Sequence, residues 1–217
     1  MAALLDVDGT LFDSFDAILS AMNAALAEDR EPPLQADELR PLIGMPVRRQ
    51  MAILRGWEGP SAERLAHRYY DHFDQRVTEG IPLYPGVRGT LQTLAGRPLG
   101  TITTRRTTVV RRMLQGAGLD RFFRAVVGGD AVSRPKPAPD LVQYAARAIG
   151  QRAKDCVVVG DSPVDLQAGR EAGARTVAAL YGYGGVDALR EASPDAEITK
   201  FPELPGVLAV LEGAGSE

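Results

Sequence analysis

Residues 2–10 read Ala2-Ala3-Leu4-Leu5-Asp6-Val7-Asp8-Gly9-Thr10, and this stretch decides the fold. Four apolar residues in a row are too few for a helix and lack the alternation of a half-buried strand. They predict a short strand covered on both faces, as in a parallel sheet. Comparable runs recur at 99–103, 125–127, 156–159 and 176–180, each ending in polar residues or glycine. Between them, Val109, Val110, Met113, Leu114 and Ala117, and then Leu141, Tyr144, Ala145 and Ala148, keep one apolar face at helical spacing. Alternating strand and helix predict an α/β fold with a Rossmann-like, doubly wound parallel sheet.

One region breaks the alternation. Residues 14–82 show no strand pattern but four helix-like stretches, at 15–28, 36–42, 47–55 and 62–77, punctuated by Pro32-Pro33 and by 56–60. The expectation is an all-helical domain over 14–82 inserted after the first strand, with 1–13 and 83–217 forming the α/β core. Pro82 and Pro85-Gly86 mark the return to the sheet, and a short run at 196–198 and an apolar helix at 204–211 close the chain.

A chain of 217 residues makes one or two domains and buries roughly 70% of its unfolded surface. Apolar residues at 45% and charged residues at 24% exclude a disordered, collagenous or coiled-coil chain. Lys and Arg number 25 against 28 Asp and Glu, a net charge of −3. No basic footprint for nucleic acid or an anionic membrane is present, so a small anionic ligand needs local positive charge. The first apolar run is cut by Asp6 and Asp8, which is neither a signal-peptide core nor an anchor. The single cysteine, Cys156, has no internal disulfide partner. The expected location is the cytoplasm.

In an open parallel sheet, ligands bind beyond the carboxyl ends of the strands. Asp6 and Asp8 are two apart, so an extended backbone turns both to one side, and Gly9 permits a tight turn after them. The run at 156–159 leads into Gly160-Asp161-Ser162-Pro163-Val164-Asp165, adding two more acids. Two carboxylates about 4 Å apart repel by roughly 4 kcal/mol at an effective dielectric near 20. A divalent cation is the natural compensation, and all-oxygen ligation suits Mg²⁺. Lys136, in Arg134-Pro135-Lys136-Pro137, is one of 3 lysines among the 25 basic residues, and an ammonium is a compact charge for phosphate. Thr103 offers a hydroxyl.

Each residue alone has an ordinary reading. Asp-Gly is a common turn, Ser162, Pro163 and Asp165 fit the cap, first and third positions of a helix, Thr103 ends a strand, and Lys136 is a surface lysine. Together, at three strand ends and one loop, they predict a single shared site. Cys156, inside an apolar run, is expected in the core, and His67 and His72 have no acidic or nucleophilic context.

These residues resemble the haloacid dehalogenase superfamily, in particular its phosphoglycolate-phosphatase-like branch. Asp6-Val7-Asp8-Gly9-Thr10-Leu11 resembles the first motif, Thr103 the second, Lys136 before Pro137 the third and Gly160-Asp161-Ser162 with Asp165 the fourth. Phe12-Asp13-Ser14, Gly128-Gly129-Asp130 and Tyr181-Gly182-Tyr183-Gly184 are similar to that branch too. The resemblance implies that Asp6 attacks a phosphate monoester to form an aspartyl-phosphate, while Asp8 protonates the leaving oxygen and later activates water. It implies Mg²⁺ held by Asp6, the backbone carbonyl of Asp8 and Asp161, with Asp165 supporting. Thr103 and Lys136 would grip the transferring oxygens, with Thr104 beside them on the substrate.

The helical insertion resembles the branch's cap, with the turn Leu42-Ile43-Gly44-Met45-Pro46 over the site. Gly44 and Arg48 are its candidate substrate contacts, although Arg48 and Arg49 suit a solvated helix face better than a ligand. A dehalogenase would lack the second acid, Asp8. Phosphonatases and sugar phosphomutases carry a cap lysine, and residues 14–82 contain none. One departure is Thr104-Arg105, where relatives carry Asn or Ser and then Lys. The implied substrate is a small phosphorylated metabolite, 2-phosphoglycolate first, with pyrophosphatase, nucleotidase or sugar phosphatase activity as alternatives on the same scaffold. From another class, a phospho-aspartate signalling or binding module shares the residue types, but its acceptor aspartate ends a middle strand and it has no helical insertion. Monomer and homodimer stay open.

Overall fold

The computed structural model describes residues 1–213, so 214–217 of the expected core segment lie outside it. Its strands are β1 (Ala2–Leu5), β2 (Leu99–Thr101), β3 (Cys156–Gly160), β4 (Arg175–Ala179) and β5 (Ala196–Ile198). They pair in the order β2-β1-β3-β4-β5, all parallel. The helices are α1 (Phe15–Glu28), α2 (Ala36–Leu39), α3 (Val47–Arg55), α4 (Gly59–Glu79), α5 (Val87–Thr93), α6 (Thr107–Gly116), α7 (Asp140–Ala148), α8 (Pro163–Glu171), α9 (Val186–Glu191) and α10 (Leu204–Gly213).

Successive residues of β1 and β3 enter different cores. Ala3, Leu5, Val157 and Val159 join one apolar cluster with Leu91 of α5, Val110 of α6 and Leu208 of α10. Ala2, Leu4, Cys156 and Val158 join another with Leu141 of α7 and Ala168 of α8. Both faces are covered, which is why these strands read as unbroken apolar runs. Leu5 lies opposite Thr101 on one side and Val159 on the other. The ends of β2, β1 and β3 are therefore nearly level. The chain travels outward from β1 to β2 and then back across β1 to β3, so the switch in strand order falls between β1 and β3, where such sheets open a crevice.

The segment 125–127 forms no strand, only a bridge between Ala125 and Gly100. The Thr101 hydroxyl takes the place of a ladder there. It accepts from the Val127 N–H at 2.8 Å and donates to the Val127 carbonyl at 2.9 Å. The strand expected over 99–103 ends at Thr101, and the helix expected over 36–42 closes with a 3₁₀ turn at Arg40–Leu42. Helix α4 begins at Gly59, ahead of the expected 62, because Pro60 falls in the first turn, where its missing N–H costs nothing.

All four helices α1–α4 lie between β1 and β2. The chain leaves and returns along one path, with Phe12 bridging Leu83, the Asp13 N–H donating to the Pro82 carbonyl at 2.9 Å and the Tyr84 N–H to the Leu11 carbonyl at 3.0 Å. Helix α4 buries Leu65, Ala66, Tyr69, Phe73 and Val77 along one face. His72 of α4 meets Glu28 of α1 at 2.7 Å, so it serves as a tie between helices. Among the described residues no helix is long and apolar enough to cross a membrane.

Candidate active site

The loop after β1 is shaped by Gly9. Its φ is +80°, and a Cβ there would come 2.1 Å from a carboxylate oxygen of Asp161. Only glycine fits both the left-handed backbone and that approach. Asp161, just past β3, is held from two sides. Thr10 Oγ1 donates to its Oδ1 at 3.1 Å, and the Tyr183 N–H, from the loop after β4, donates to its Oδ2 at 2.8 Å.

Lys136 reaches the same point from its proline-flanked loop. Its Nζ donates to Asp6 Oδ1 at 3.0 Å, to the Ile102 carbonyl at 3.2 Å and to Asp165 Oδ1. Asp165 Oδ2 accepts from the Ser162 N–H at 3.1 Å and from the Ser162 hydroxyl at 2.5 Å, closing a capping box on α8. Asp165 thus caps its helix and holds Lys136 with its two different oxygens.

Asp6, Asp161 and Asp165 are all buried and offer carboxylate oxygens within 4.8 Å of one another. Burial pushes the Asp6 carboxyl well above its usual range; Lys136 opposes this, and Asp165, Asp161 and Asp8 reinforce it. Burial, with the charge of Asp165, pushes Asp161 up to about 7. Burial alone would lower Lys136, but Asp165 and Asp6 outweigh it and raise its pKa. Four carboxylates, of Asp6, Asp8, Asp161 and Asp165, meet two cations, Lys136 and Arg105. The excess of two negative charges on hard oxygen donors fits a divalent cation.

Asp8 faces another way. Its carboxylate accepts from Arg105 Nε at 2.5 Å and from the Ser14 hydroxyl. Any part it takes in holding a cation therefore falls to its backbone carbonyl. Arg105 in turn reaches into α4, with Nη1 at 3.4 Å from the Tyr69 hydroxyl and its guanidinium carbon 3.6 Å from the centre of the Phe73 ring. Burial works against the Arg105 charge, but Asp8 and Tyr69 outweigh it and raise the pKa.

A cavity of about 90 Å³ joins these groups, lined by Asp6, Asp8, Thr103, Thr104, Arg105, Lys136 and Asp161 from the sheet side. Ile18, Gly44, Gln50, Tyr69 and Tyr70 line it from the helical segment. One water needs about 10–15 Å³, so the space suits a ligand of a few heavy atoms. Thr103, buried, accepts from the Arg105 N–H at 3.2 Å through its hydroxyl. Gly44 stands at the rim with φ +91° and no atom within 4 Å of a would-be Cβ. Arg48 is apart from this group. It pairs with Glu63 at 3.2 Å, is 65% exposed, and lines a second hollow with His67, Arg106 and Asp130.

Cys156 is buried, with burial pushing its thiol up to about 11, as expected of a core residue. Sequence reasoning noted Arg105 only as a departure from relatives and did not place Tyr69, Gln50 or Ser14 in the site. For Tyr69 the signal was there in part: its spacing with Leu65 and Phe73 puts it on the buried face of α4, but periodicity does not say what that face meets.

Residues 3–179 match the family described as haloacid dehalogenase-like hydrolase. A phosphoglycolate phosphatase of Pectobacterium atrosepticum is 31% identical over 206 residues, covering 92% of this chain and 88% of that one. A phosphoglycolate phosphatase of Pseudomonas syringae pv. tomato is 34% identical, covering 94% of this chain and 79% of that one. The crystal structure of a hydrolase from Pseudomonas syringae superposes with a TM-score of 0.82 at 27% identity, covering 96% of this chain and 97% of that one.

Proposed function

Since the chain belongs to the haloacid dehalogenase-like hydrolases, in their phosphoglycolate-phosphatase-like branch, we propose that it hydrolyses small phosphate monoesters, 2-phosphoglycolate first, through an aspartyl-phosphate on Asp6. The observation that carries this reading is the junction at the end of β1. The nucleophile Asp6 is held by Lys136, and Asp8, Thr103 and Asp161 open on the same small cavity.

In the first step an oxygen of Asp6 attacks phosphorus, the bond to the leaving oxygen breaks, and Asp8 gives that oxygen its proton. In the second step Asp8 takes a proton from water, whose oxygen attacks the phosphorus and frees inorganic phosphate and Asp6. Lys136 and the Thr103 hydroxyl neutralise charge on the transferring oxygens. Mg²⁺ is the cation this reading assigns; Asp6, Asp161 and the Asp8 carbonyl would hold it, with Asp165 acting through Lys136 and Ser162. Its chemistry, when bound, is to draw negative charge from the phosphoryl oxygens. Residues 14–82 act as a cap over a core of 1–13 and 83–217. The paired crossing at Phe12 and Leu83 and the shared lining of the cavity support that division.

Phosphate release is measured with Mg²⁺ from 2-phosphoglycolate, pyrophosphate, sugar phosphates and nucleotides, for the wild type and Asp6→Asn. The expected result is highest turnover on 2-phosphoglycolate, lost to background in Asp6→Asn and on chelation. Retained turnover in Asp6→Asn would remove Asp6 as the nucleophile.

A further inference from the structure

We propose that Arg105 selects the substrate by binding a carboxylate carried on the leaving side of the phosphate ester, and that it rests on Asp8 until that carboxylate takes Asp8's place. The proposal rests on the phosphatase reading above and names the class of ester it takes: monoesters of short hydroxy acids, in preference to those of neutral alcohols.

Asp8 must deliver its proton to the oxygen that departs, so a cation clasping Asp8 stands beside the leaving group. Arg105 is that cation, bonded to Asp8 Oδ2 through Nε. Among the described residues lining the cavity, the only cations are Arg105 and Lys136. An ammonium has three donors, and Lys136 directs its own to Asp6, Asp165 and the Ile102 carbonyl. Arg48 points to Glu63 outside this cavity. A second anionic group on a ligand therefore meets Arg105 or no cation.

Arg105 is also built for a planar anion. The centre of the Phe73 ring lies 3.6 Å from its guanidinium carbon and the Tyr69 hydroxyl stands 3.4 Å from Nη1, so two contacts from α4 hold a group whose forked donors suit a carboxylate. In 2-phosphoglycolate the carboxylate is one carbon from the leaving oxygen. Brought beside Asp8 with no cation, that carboxylate would be repelled. With Arg105 present, the incoming carboxylate takes Asp8's place, and Asp8, taking up one proton from solvent as it leaves the pair, keeps the buried charge balance unchanged and carries the proton that the leaving oxygen receives. The contacts to Tyr69 and Phe73 make α4 part of the recognition.

Ethyl phosphate differs from 2-phosphoglycolate only by a methyl where the carboxylate stands. The test compares kcat/KM for the two esters in wild type, Arg105→Met and Arg105→Lys. The wild type is expected to prefer 2-phosphoglycolate. Arg105→Met is expected to reduce that preference by roughly 10- to 100-fold, the worth of a charge-assisted pair. Arg105→Lys, with charge but no planar fork, falls between, and carries the test if Arg105→Met does not fold. A preference unchanged in both variants overturns the proposal. An equal loss on both esters does so too, because Arg105 then only holds Asp8 in position. Calorimetric binding of both esters to the same proteins in chelator, where turnover stops, reads the preference apart from catalysis. If the wild type hydrolyses neither ester, the choice of 2-phosphoglycolate as substrate fails. Binding still decides the role of Arg105: a preference lost with the guanidinium supports it, and equal preference in wild type and variants overturns it.

Discussion

Lys136 is the residue on which the site's stability turns. Its side chain is 3% exposed and that of Asp165 is not exposed at all, so neither charge has water in reserve. Replacing Lys136 with Met strands two buried carboxylates, and breaking a buried pair in this way costs about 3–5 kcal/mol. Urea unfolding of Lys136→Met should show a loss of that order, with phosphatase turnover gone. A loss below about 1 kcal/mol would mean that Asp6 and Asp165 do not depend on Lys136. The acids also set a pH dependence. Asp161 titrates near 7 when folded against about 3.9 unfolded, and Asp6 is raised in the same direction. The folded state then binds the extra proton, so the stability these two carboxyls contribute is fullest below about pH 4 and is lost as pH rises toward about 7. In chelator the melting temperature should decline across that window, and Mg²⁺ should flatten the decline. A melting temperature independent of pH in chelator would contradict the assignment. Glu212, lowered to about 2 by its hydrogen bonds to Arg97 and the amino terminus, titrates below this range.

At the scale of elements, the segment beyond β2 is tied by two backbone bonds, from the Arg124 N–H to the Leu99 carbonyl at 2.8 Å and from the Thr101 N–H to the Ala125 carbonyl at 3.2 Å, and past them by one hydroxyl. Thr101 closes two hydrogen bonds to Val127 where a sixth strand would have laddered. Thr101→Val keeps the shape and the branching but leaves the Val127 N–H and carbonyl without that partner. A buried group left unsatisfied costs about 1–3 kcal/mol, so chemical denaturation should show a loss in that range. Faster amide exchange at Val127 would locate it, and unchanged exchange there would show that the hydroxyl bond is not what holds the segment. The substitution leaves the cavity lining untouched, since Thr101 is not part of it. Helix α8 shows the same economy: one carboxylate, Asp165, both closes the capping box and anchors Lys136, so α8 cannot fray without loosening the site.

At the scale of the whole molecule, the helical segment and the sheet share one apolar cluster, in which Met22, Leu65 and Phe73 join Leu5 and Val159. A continuous core should unfold as one unit. Trp57, the single tryptophan and a resident of the helical segment, should lose its native fluorescence at the same urea concentration at which far-UV circular dichroism reports loss of the sheet. Two separate midpoints would show that residues 14–82 fold on their own account. The broad plan was legible in the chain itself. Unbroken apolar runs followed by acids mark strands buried on two faces and the edge at which a ligand binds, because side-chain period and polarity are local properties. Asp6, Asp8, Lys136 and Asp161 could be found for the same reason: each sits at the end of an apolar run or in a proline-bounded loop. Residues 125–127 read as a strand but form only a bridge, because an apolar triplet does not reveal whether a neighbouring backbone or a threonine hydroxyl will satisfy it. Nothing in the spacing of Arg105, Tyr69 and Phe73 announces that they meet, or that Arg48 turns outward to Glu63. Those outcomes depend on how α4 lies across the ends of the strands, a contact between segments distant in sequence, and only packing in three dimensions settles which charges become neighbours.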